Sequence, residues 1–366
     1  MNKWFPEMKK NLGFGCMRLK MAGQEVDLDE FSRMVDAFLE NGFNYFDTAR
    51  MYIDGKSELA LKECLTSRHP RESYVLTDKL SPDYFTCRED IEPLLDSQLA
   101  ACGVDYFDFY LMHAQSSRNY DKYRNAQAYE EAFRLKKLGK VRHVGLSFHD
   151  NAEFLDKILT ENPEVEVVQL QFNYVDYEDD RIQSRLCYEV CVKHGKPVMV
   201  MEPVRGGQLV NMPDVAGKIL DELKGGSRAS YALRFAAGFP NIVMVLSGMG
   251  SMEMLEDNMR TMSSLSPLST EELAALEKVA AIYHGEEQIP CTGCRYCVDG
   301  CPQQIPIPDI FAAANREKTE GIIADFSKLS GGKASDCIRC GQCQESCPQF
   351  LPICSLLRKL AEKSAD

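Results

Sequence analysis

The sequence predicts a (β/α)8 (TIM) barrel over residues 1–282, followed by a small α+β domain over residues 283–366. Apolar strand-like runs alternate eight times with amphipathic helical segments between Asn11 and about Met262. Eight such units in about 250 residues are typical of this barrel. The last quarter of the chain differs, because it carries two four-cysteine runs of identical spacing.

The predicted strands are mostly continuous apolar runs, as expected for parallel strands that are covered on both faces. They are Leu12–Cys16, Phe43–Ala49, Tyr74–Leu80, Tyr106–His113, Arg142–His149, Val165–Asn173, Val198–Val204 and Ile242–Met249. The predicted helices between and after them are Leu28–Asn41, Ser57–Thr66, Arg88–Ala101, Tyr129–Leu138, Ala152–Leu159, Arg181–His194, Arg228–Ala237 and Met252–Met262. An open doubly wound sheet is the alternative, but no G-x-G-x-x-G motif follows the first strand to support it.

The cysteine runs have the spacing C-x2-C-x2-C-x3-C-P, which holds paired [4Fe–4S] clusters in bacterial ferredoxins. The first run is Cys291, Cys294, Cys297 and Cys301, and the second is Cys337, Cys340, Cys343 and Cys347. In that arrangement the fourth cysteine of each run binds the other cluster. We therefore predict two [4Fe–4S] clusters, one held by Cys291, Cys294, Cys297 and Cys347 and the other by Cys337, Cys340, Cys343 and Cys301.

Two other uses of cysteine require different patterns. Zinc ribbons usually have two C-x2-C pairs without a third cysteine at the same step. Disulfide frameworks belong to small secreted domains, and the N-terminal residues lack the pattern of a signal peptide. No apolar stretch approaches the length of a membrane span. The sequence therefore favours a cytoplasmic protein whose thiols are reduced or bound to metal.

The net charge of −13 at pH 7 argues against nucleic acid as a partner, because the phosphate backbone repels an acidic surface. The same charge suits docking to a basic patch on a redox protein partner.

Candidate catalytic residues follow from the barrel, in which functional groups lie at the C-terminal ends of the strands. The polar residues at or just beyond these ends are Asp47, Tyr52, Lys79, His113, Ser147, His149, Gln169 and Asn173, of which His149 suits a structural role at least as well.

These residues resemble a known family. The segment D-T-A-R-M-Y from Asp47 to Tyr52, followed by Lys79 and by L-M-H ending at His113, looks like the catalytic tetrad of the aldo-keto reductases. Further segments agree in order, namely L-G-F-G-C-M-R-L at 12–19, G-L-S at 145–147, Q-L-Q-F-N at 169–173 and E-D-N at 256–258. The resemblance covers about residues 10–280, and the whole chain is similar to aldo-keto reductases that carry a C-terminal ferredoxin-like domain.

The resemblance implies NADP or NAD as cofactor. Residues near its nicotinamide would be Ser147, Gln169 and Asn173, those near its phosphates Gly248 and Met249, and those near its adenine Asp257 and Asn258.

The tetrad suits reduction of a carbonyl by hydride, which needs a proton donor at the developing alkoxide. Tyr52 would be this donor, because the ammonium of Lys79 lowers the pKa of a neighbouring phenol. Asp47 would keep Lys79 charged and in place. His113 would bind and orient the substrate oxygen.

The sequence departs from the family pattern at two places. Many NADPH-dependent members have a basic residue after the last strand, whereas residues 247–255 contain no lysine or arginine, so Arg205 or Arg228 would have to replace it. At the seventh strand Met201-Glu202-Pro203 stands where many members stack a tyrosine on the nicotinamide. Arg205 is the expected partner of Glu202. A flavin in place of the nicotinamide is an alternative.

The leading functional hypothesis is an NAD(P)H-dependent oxidoreductase that interconverts a small carbonyl compound and an alcohol, with single electrons passing through the two clusters. One alternative is electron transfer from NAD(P)H or a flavin to a ferredoxin-type partner without a carbonyl substrate. Another is a non-catalytic barrel that serves as a scaffold for the cluster domain. The substrate pocket is expected between the loops at 115–125 and 204–226 and the cluster domain. The sequence specifies neither the substrate nor the oligomeric state.

Replacing one predicted cluster ligand tests the assignment. Cys294→Ser is expected to remove about half of the bound iron and to destabilise the C-terminal domain, because a thiolate corner of one cluster is lost. Iron content measured on the anaerobically purified protein checks this, with Cys87→Ser, outside both runs, as the control. An unchanged iron content in Cys294→Ser would contradict the ligand set.

Overall fold

Eight parallel strands close into a barrel in the computed structural model, which describes residues 3–285, 288–321 and 323–363. Each strand pairs with its neighbours in the chain, and the last pairs with the first. The strands are β1 (Leu12–Gly15), β2 (Tyr45–Asp47), β3 (Val75–Leu80), β4 (Phe107–Gln115), β5 (Val141–Phe148), β6 (Val167–Gln171), β7 (Val198–Met201) and β8 (Ile242–Ser247). A short hairpin, Met21–Ala22 with Glu25–Val26, lies outside the barrel.

Helices follow the strands and cover the barrel. Several begin at a polar capping residue; Asp27, for example, accepts a hydrogen bond from the backbone N–H of Glu30 at 3.1 Å. The helices are α1 (Leu28–Glu40), α2 (Lys56–Leu61), α3 (Ile91–Cys102), α4 (Tyr120–Asn125), α5 (Ala128–Lys137), α6 (Ala152–Glu161), α7 (Ser184–Lys193), α8 (Asp214–Asp221), α9 (Arg228–Ala237), α10 (Met252–Ser263) and α11 (Thr270–Gly285). In the described part of the chain, no helix is both long and apolar enough to cross a bilayer.

The barrel predicted from the sequence is confirmed. Each predicted strand overlaps an observed one, although most observed strands are shorter, and β4 continues past its predicted end at His113. All eight predicted helices are present, and the second continues beyond α2 as a wider helical turn, Lys62–Thr66. Sequence periodicity did not identify α4, α8 and α11, which lie in or after the loops.

Apolar side chains fill the N-terminal half of the barrel interior. This cluster includes Tyr45, Phe109, Leu111, Met199 and Met244, all fully buried. The barrel is therefore a packed core rather than a channel, and it supports the polar groups that project at the C-terminal ends of the strands.

The C-terminal unit is built from helices α12 (Tyr296–Asp299), α13 (Ile307–Glu320), α14 (Gln342–Glu345) and α15 (Ile353–Lys363). No strand is described within residues 288–321 and 323–363, so its regular structure there is helical. The predicted domain boundary at 282/283 falls inside α11, whose last turn contacts the barrel through a bond between the His284 ring and the Val175 carbonyl at 3.0 Å. We propose that the boundary follows Gly285.

The C-terminal unit docks on the face of the barrel where the strands end. Arg18, just after β1, donates to the carbonyl of Thr292 at 3.0 Å, and Gln208 donates to the carbonyl of Cys291 at 2.7 Å. On the opposite side Arg118 donates to backbone carbonyls near the second cysteine run, the nearest being that of Gln344 at 2.7 Å. The cysteine runs are thereby fixed over the candidate site.

Gly206 allows the first cysteine run to approach the barrel. Its φ is +63°, and a side chain there would place Cβ only 2.2 Å from the carbonyl oxygen of Thr292. Gly207 has a similarly left-handed φ of +92°, but nothing lies within 4 Å of its Cβ position. Glycine is therefore needed at both positions for the turn, but only at 206 for the contact.

Gly206→Ala is expected to lower stability by about 1–3 kcal/mol more than Gly207→Ala, because only the first substitution overfills the contact. Guanidinium unfolding, monitored by cluster absorbance, provides the comparison. Because both variants carry the same kind of backbone strain, equal losses would show that the contact with Thr292 does not hold the two units together.

Candidate active site and cluster sites

The side-chain ammonium of Lys79 is the centre of the candidate site. Lys79 is fully buried, and its Nζ donates to Asp47 Oδ1 at 2.6 Å, to the Thr48 carbonyl at 2.8 Å and to the Tyr52 hydroxyl at 3.0 Å. These contacts use all three of its donors. A buried ammonium is tolerated only when it is paired and hydrogen-bonded in this way.

The Asp47 carboxylate links two sides of the barrel. Its second oxygen accepts a hydrogen bond from Gln169 Nε2 at 3.1 Å, so that β2, β3 and β6 all contribute to one network. Asp47 ends β2 and lies beside Gly15 of β1. The contacts among Asp47, Lys79 and Gln169 therefore depend on the register of three strands.

Tyr52 reaches Lys79 from a tight turn beyond β2. The turn contains three successive left-handed residues, Ile53, Asp54 and Gly55, with φ between 53° and 81°. Burial, reinforced by the negative charge of Asp47, raises the pKa of Tyr52 well above its ordinary value. The sequence led us to expect a lowered pKa, whereas in this structure burial is the largest effect and raises it. Tyr52 therefore holds its proton.

His113 lies beside Tyr52, with ring centroids 6.0 Å apart in an edge-to-face arrangement. Its Nδ1 is hydrogen-bonded to the Ser81 hydroxyl at 2.7 Å. Burial, together with the nearby charge of Lys79, lowers the pKa of His113 well below its ordinary value. The imidazole is therefore neutral and can act on a substrate oxygen only as a neutral hydrogen-bonding group.

A second tyrosine enters the site from the C-terminal unit. The hydroxyl of Tyr296 lies beside that of Tyr52, and its ring lies edge-on to His113 with centroids 6.2 Å apart. Sequence reasoning missed this residue, because the two positions between Cys294 and Cys297 can hold any side chain in the cluster motif. Only the docking of the two units shows that Tyr296 lies beside Tyr52 and His113.

A cavity of about 880 Å³ extends from this tetrad to α10. One end is lined by Asp47, Tyr52 and Gln169, and the far end by Asp257, Asn258 and Arg260. The C-terminal unit contributes wall residues Thr292, Cys294, Tyr296, Pro348 and Gln349. Part of the expected substrate loop, residues 204–211, lines the cavity, whereas no residue of the 115–125 loop is among its described wall residues.

The predicted cofactor contacts fall into two groups. Gln169, Gly248, Asp257 and Asn258 line the cavity. Ser147, Asn173 and Met249 are buried away from its wall; Ser147 Oγ, for example, accepts from the Ala114 N–H at 2.8 Å. Asn173 is hydrogen-bonded to Asp176 and the Glu202 carbonyl, and Met249 lies in the apolar layer between strands and helices.

The arginines differ from the sequence-based expectation. Glu202 pairs with Arg18 at 3.3 Å and not with Arg205, which forms a buried ion pair with Asp176 at 3.1 Å. Burial raises the pKa of Glu202, and Arg18 offsets part of that effect. Arg228, the other predicted phosphate ligand, pairs with Asp221.

The cysteines of the two runs surround two small cavities. The first is lined by Cys291, Cys294, Cys297 and Cys347, and the second by Cys301, Cys337, Cys340 and Cys343. Thus each cavity receives three thiols from one run and the fourth from the other, and apolar residues such as Ile307 complete both walls. Cys354 also lines the second cavity. Sulfur ligands in an apolar wall are the donor set that suits iron–sulfur clusters.

Comparison with known proteins gives the family. Residues 11–281 match the model of the Aldo/keto reductase family, and residues 290–351 match that of a 4Fe-4S dicluster domain. The chain therefore belongs to the aldo/keto reductase family, with an iron–sulfur domain at its C-terminal end, and it is an oxidoreductase enzyme.

Individual relatives are distant. The oxidoreductase YqkF of Bacillus subtilis is 23% identical over 298 residues, covering 73% of this chain and 91% of that protein. The NADH-specific methylglyoxal reductase of Escherichia coli is 27% identical over 223 residues, covering 54% of this chain and 62% of that protein. A Klebsiella pneumoniae aldo-keto reductase solved with NADPH superposes with a TM-score of 0.60 at 21% identity, over 74% of this chain and 90% of its own. The structural similarity supports the fold alone.

The Asp47–Lys79 pair gives a stability test. Lys79→Met is expected to destabilise the protein by about 3–5 kcal/mol, because it leaves the Asp47 carboxylate buried without its cation. Adding Asp47→Asn should recover part of this loss, since the uncompensated charge is then gone. Denaturant unfolding of both single variants and the double variant measures the coupling, and strictly additive losses would contradict the buried pair.

Proposed function

We propose that the barrel interconverts a small carbonyl compound and its alcohol with a nicotinamide nucleotide, and that the C-terminal unit carries two [4Fe–4S] clusters that exchange single electrons. The observation that carries the first part is the buried Lys79, bonded to both Asp47 and Tyr52 on the wall of a large cavity. Relatives named for reduction of small carbonyl compounds, such as the methylglyoxal reductase, support it.

Each residue of the site has a separate role in the proposed reaction. The bound nicotinamide would supply or accept the hydride. Tyr52 gives its hydroxyl proton to the substrate oxygen, and the Lys79 ammonium, 3.0 Å away, then stabilises the phenolate. Asp47 and Gln169 hold Lys79 in place. His113, neutral and edge-on to Tyr52, orients the same oxygen.

The charges on the cavity wall favour NADH over NADPH. The arginines among the described wall residues are Arg18 and Arg260, and both are paired, with Glu202 and Asp257. Glu253 and Glu256 line the same end of the cavity as Asp257. A 2′-phosphate would meet carboxylates there without an unpaired arginine, whereas a ribose diol can donate hydrogen bonds to them.

The position of Cys294 links the two units. It is a proposed ligand of the first cluster, and it lines the same cavity as Tyr52 and Asp47. The clusters would take up or release one electron at a time. This proximity favours exchange of electrons between the barrel and the clusters, with a flavin as an alternative coupling group. It also gives a second candidate function, electron transfer between NAD(P)H and a redox protein without a carbonyl substrate.

Tyr52→Phe is expected to lower carbonyl turnover by at least about two orders of magnitude, because a general acid typically contributes that much. Steady-state kinetics with a panel of small aldehydes and ketones measures the effect. Tyr84→Phe, at an exposed tyrosine, is the matched control and should behave like the wild type. Unchanged turnover in Tyr52→Phe would contradict the tetrad and favour a non-catalytic barrel.

Anaerobic titration with each nucleotide tests the link between the units. We expect NADH to bleach the cluster absorbance and to produce the EPR signal of reduced clusters at lower concentration than NADPH, because both cavity arginines are already paired. The flavin content of the same sample identifies any coupling group. If neither nucleotide reduces the clusters while a carbonyl is still turned over, the clusters serve an outside redox partner or have a structural role.

A further inference from the structure

Tyr296 occupies the position where the proposed reaction needs a substrate oxygen. That oxygen must contact both the Tyr52 hydroxyl and His113. In this structure the Tyr296 hydroxyl lies beside that of Tyr52, and its ring lies against His113 at 6.2 Å between centroids. His113 is only 2% exposed and is not among the described residues of the cavity wall, whereas Tyr296 is.

The backbone that carries Tyr296 is fixed, but its side chain borders open space. Arg18 holds the carbonyls of Thr292 and Gly293 at 3.0 and 3.4 Å, which anchors the run upstream of Tyr296. The ring itself faces the cavity of about 880 Å³. Rotation of the side chain toward that cavity would therefore uncover His113 beside Tyr52 while the carbonyls of Thr292 and Gly293 stay anchored.

We propose that Tyr296 is a gate on the substrate-oxygen site and a determinant of which carbonyl compounds enter it. A substrate must displace the Tyr296 hydroxyl and ring before its oxygen can contact Tyr52 and His113. Because Tyr296 lies between Cys294 and Cys297, the gate belongs to the loop that surrounds the first cluster site. This proposal rests on the proposed function, since it assumes that the oxygen binds between those two residues.

Binding of a non-reacting oxygen ligand tests the gate separately from turnover. The probe is acetate, whose carboxylate oxygen can accept hydrogen bonds from the site, titrated by calorimetry into the cluster-loaded full-length protein with NAD⁺. Tyr296→Phe removes the competing hydroxyl and keeps the ring, so acetate should bind roughly threefold to tenfold more tightly, as expected when one competing polar contact is removed. Tyr296→Ala, which also opens the space, should gain at least as much.

Controls identify the site and the fold of the variants. Tyr52→Phe should weaken acetate binding in both the wild-type and the Tyr296→Phe backgrounds, which places the probe at that hydroxyl. Tyr84→Phe should bind like the wild type. Iron content and circular dichroism show whether Tyr296→Ala remains loaded and folded, and Tyr296→Phe serves alone if it does not. In steady-state kinetics, the KM for a carbonyl substrate should be lower in the Tyr296 variants than in the wild type, as the acetate dissociation constant is.

Three outcomes overturn the gate. The first is acetate affinity that is unchanged or weaker in the Tyr296 variants, since weaker binding would make Tyr296 a donor to the ligand. The second is a loss of kcat in Tyr296→Phe without tighter binding, which would make it part of a proton relay. The third is no measurable binding to any variant that is folded. Failure of the proposed function is detected by a different experiment, because carbonyl turnover would then be unchanged in Tyr52→Phe.

Discussion

The buried ammonium of Lys79 is the constraint around which the site is built. A charge with no exposed surface persists only if all of its donors are satisfied, and Lys79 satisfies them with Asp47, Thr48 and Tyr52. This requirement fixes β2, β3 and the turn after β2 relative to one another. It also explains why Tyr52 holds its proton: the ion pair is nearly neutral as a whole, so burial dominates the pKa of the phenol.

The second feature of the structure is that the iron–sulfur unit forms part of the active-site wall. Thr292, Cys294 and Tyr296 line the cavity that Asp47 and Tyr52 line. Arg18 holds this wall in place by bonding both to Glu202 and to the backbone of the first cysteine run. The chain thus brings a cysteine of the first run and an extra phenol into the same chamber as Asp47 and Tyr52.

Most of the fold could be predicted from the sequence, because the strands are continuous apolar runs and the cysteine spacing is regular. The cross-over of the fourth cysteines is also the arrangement that the structure shows around both cavities. Prediction was poorer for polar side chains. Arg205 was expected to pair with Glu202 and instead pairs with Asp176, while Arg18, from another strand end, takes its place. Sequence proximity does not determine which of several nearby carboxylates an arginine reaches.

The sequence by itself determined the architecture and the inventory of chemistry: a barrel with an acid, a tyrosine, a lysine and a histidine at its strand ends, and two cysteine runs. These are local patterns of apolar periodicity and ligand spacing, which a short segment encodes without knowledge of its partners. Only the tertiary structure decided that Tyr296 meets Tyr52, that Cys294 lines the cavity and that Gly206 must lack a side chain. Each of these depends on how two separately patterned units dock, and residues far apart in the chain carry no local signal of that contact.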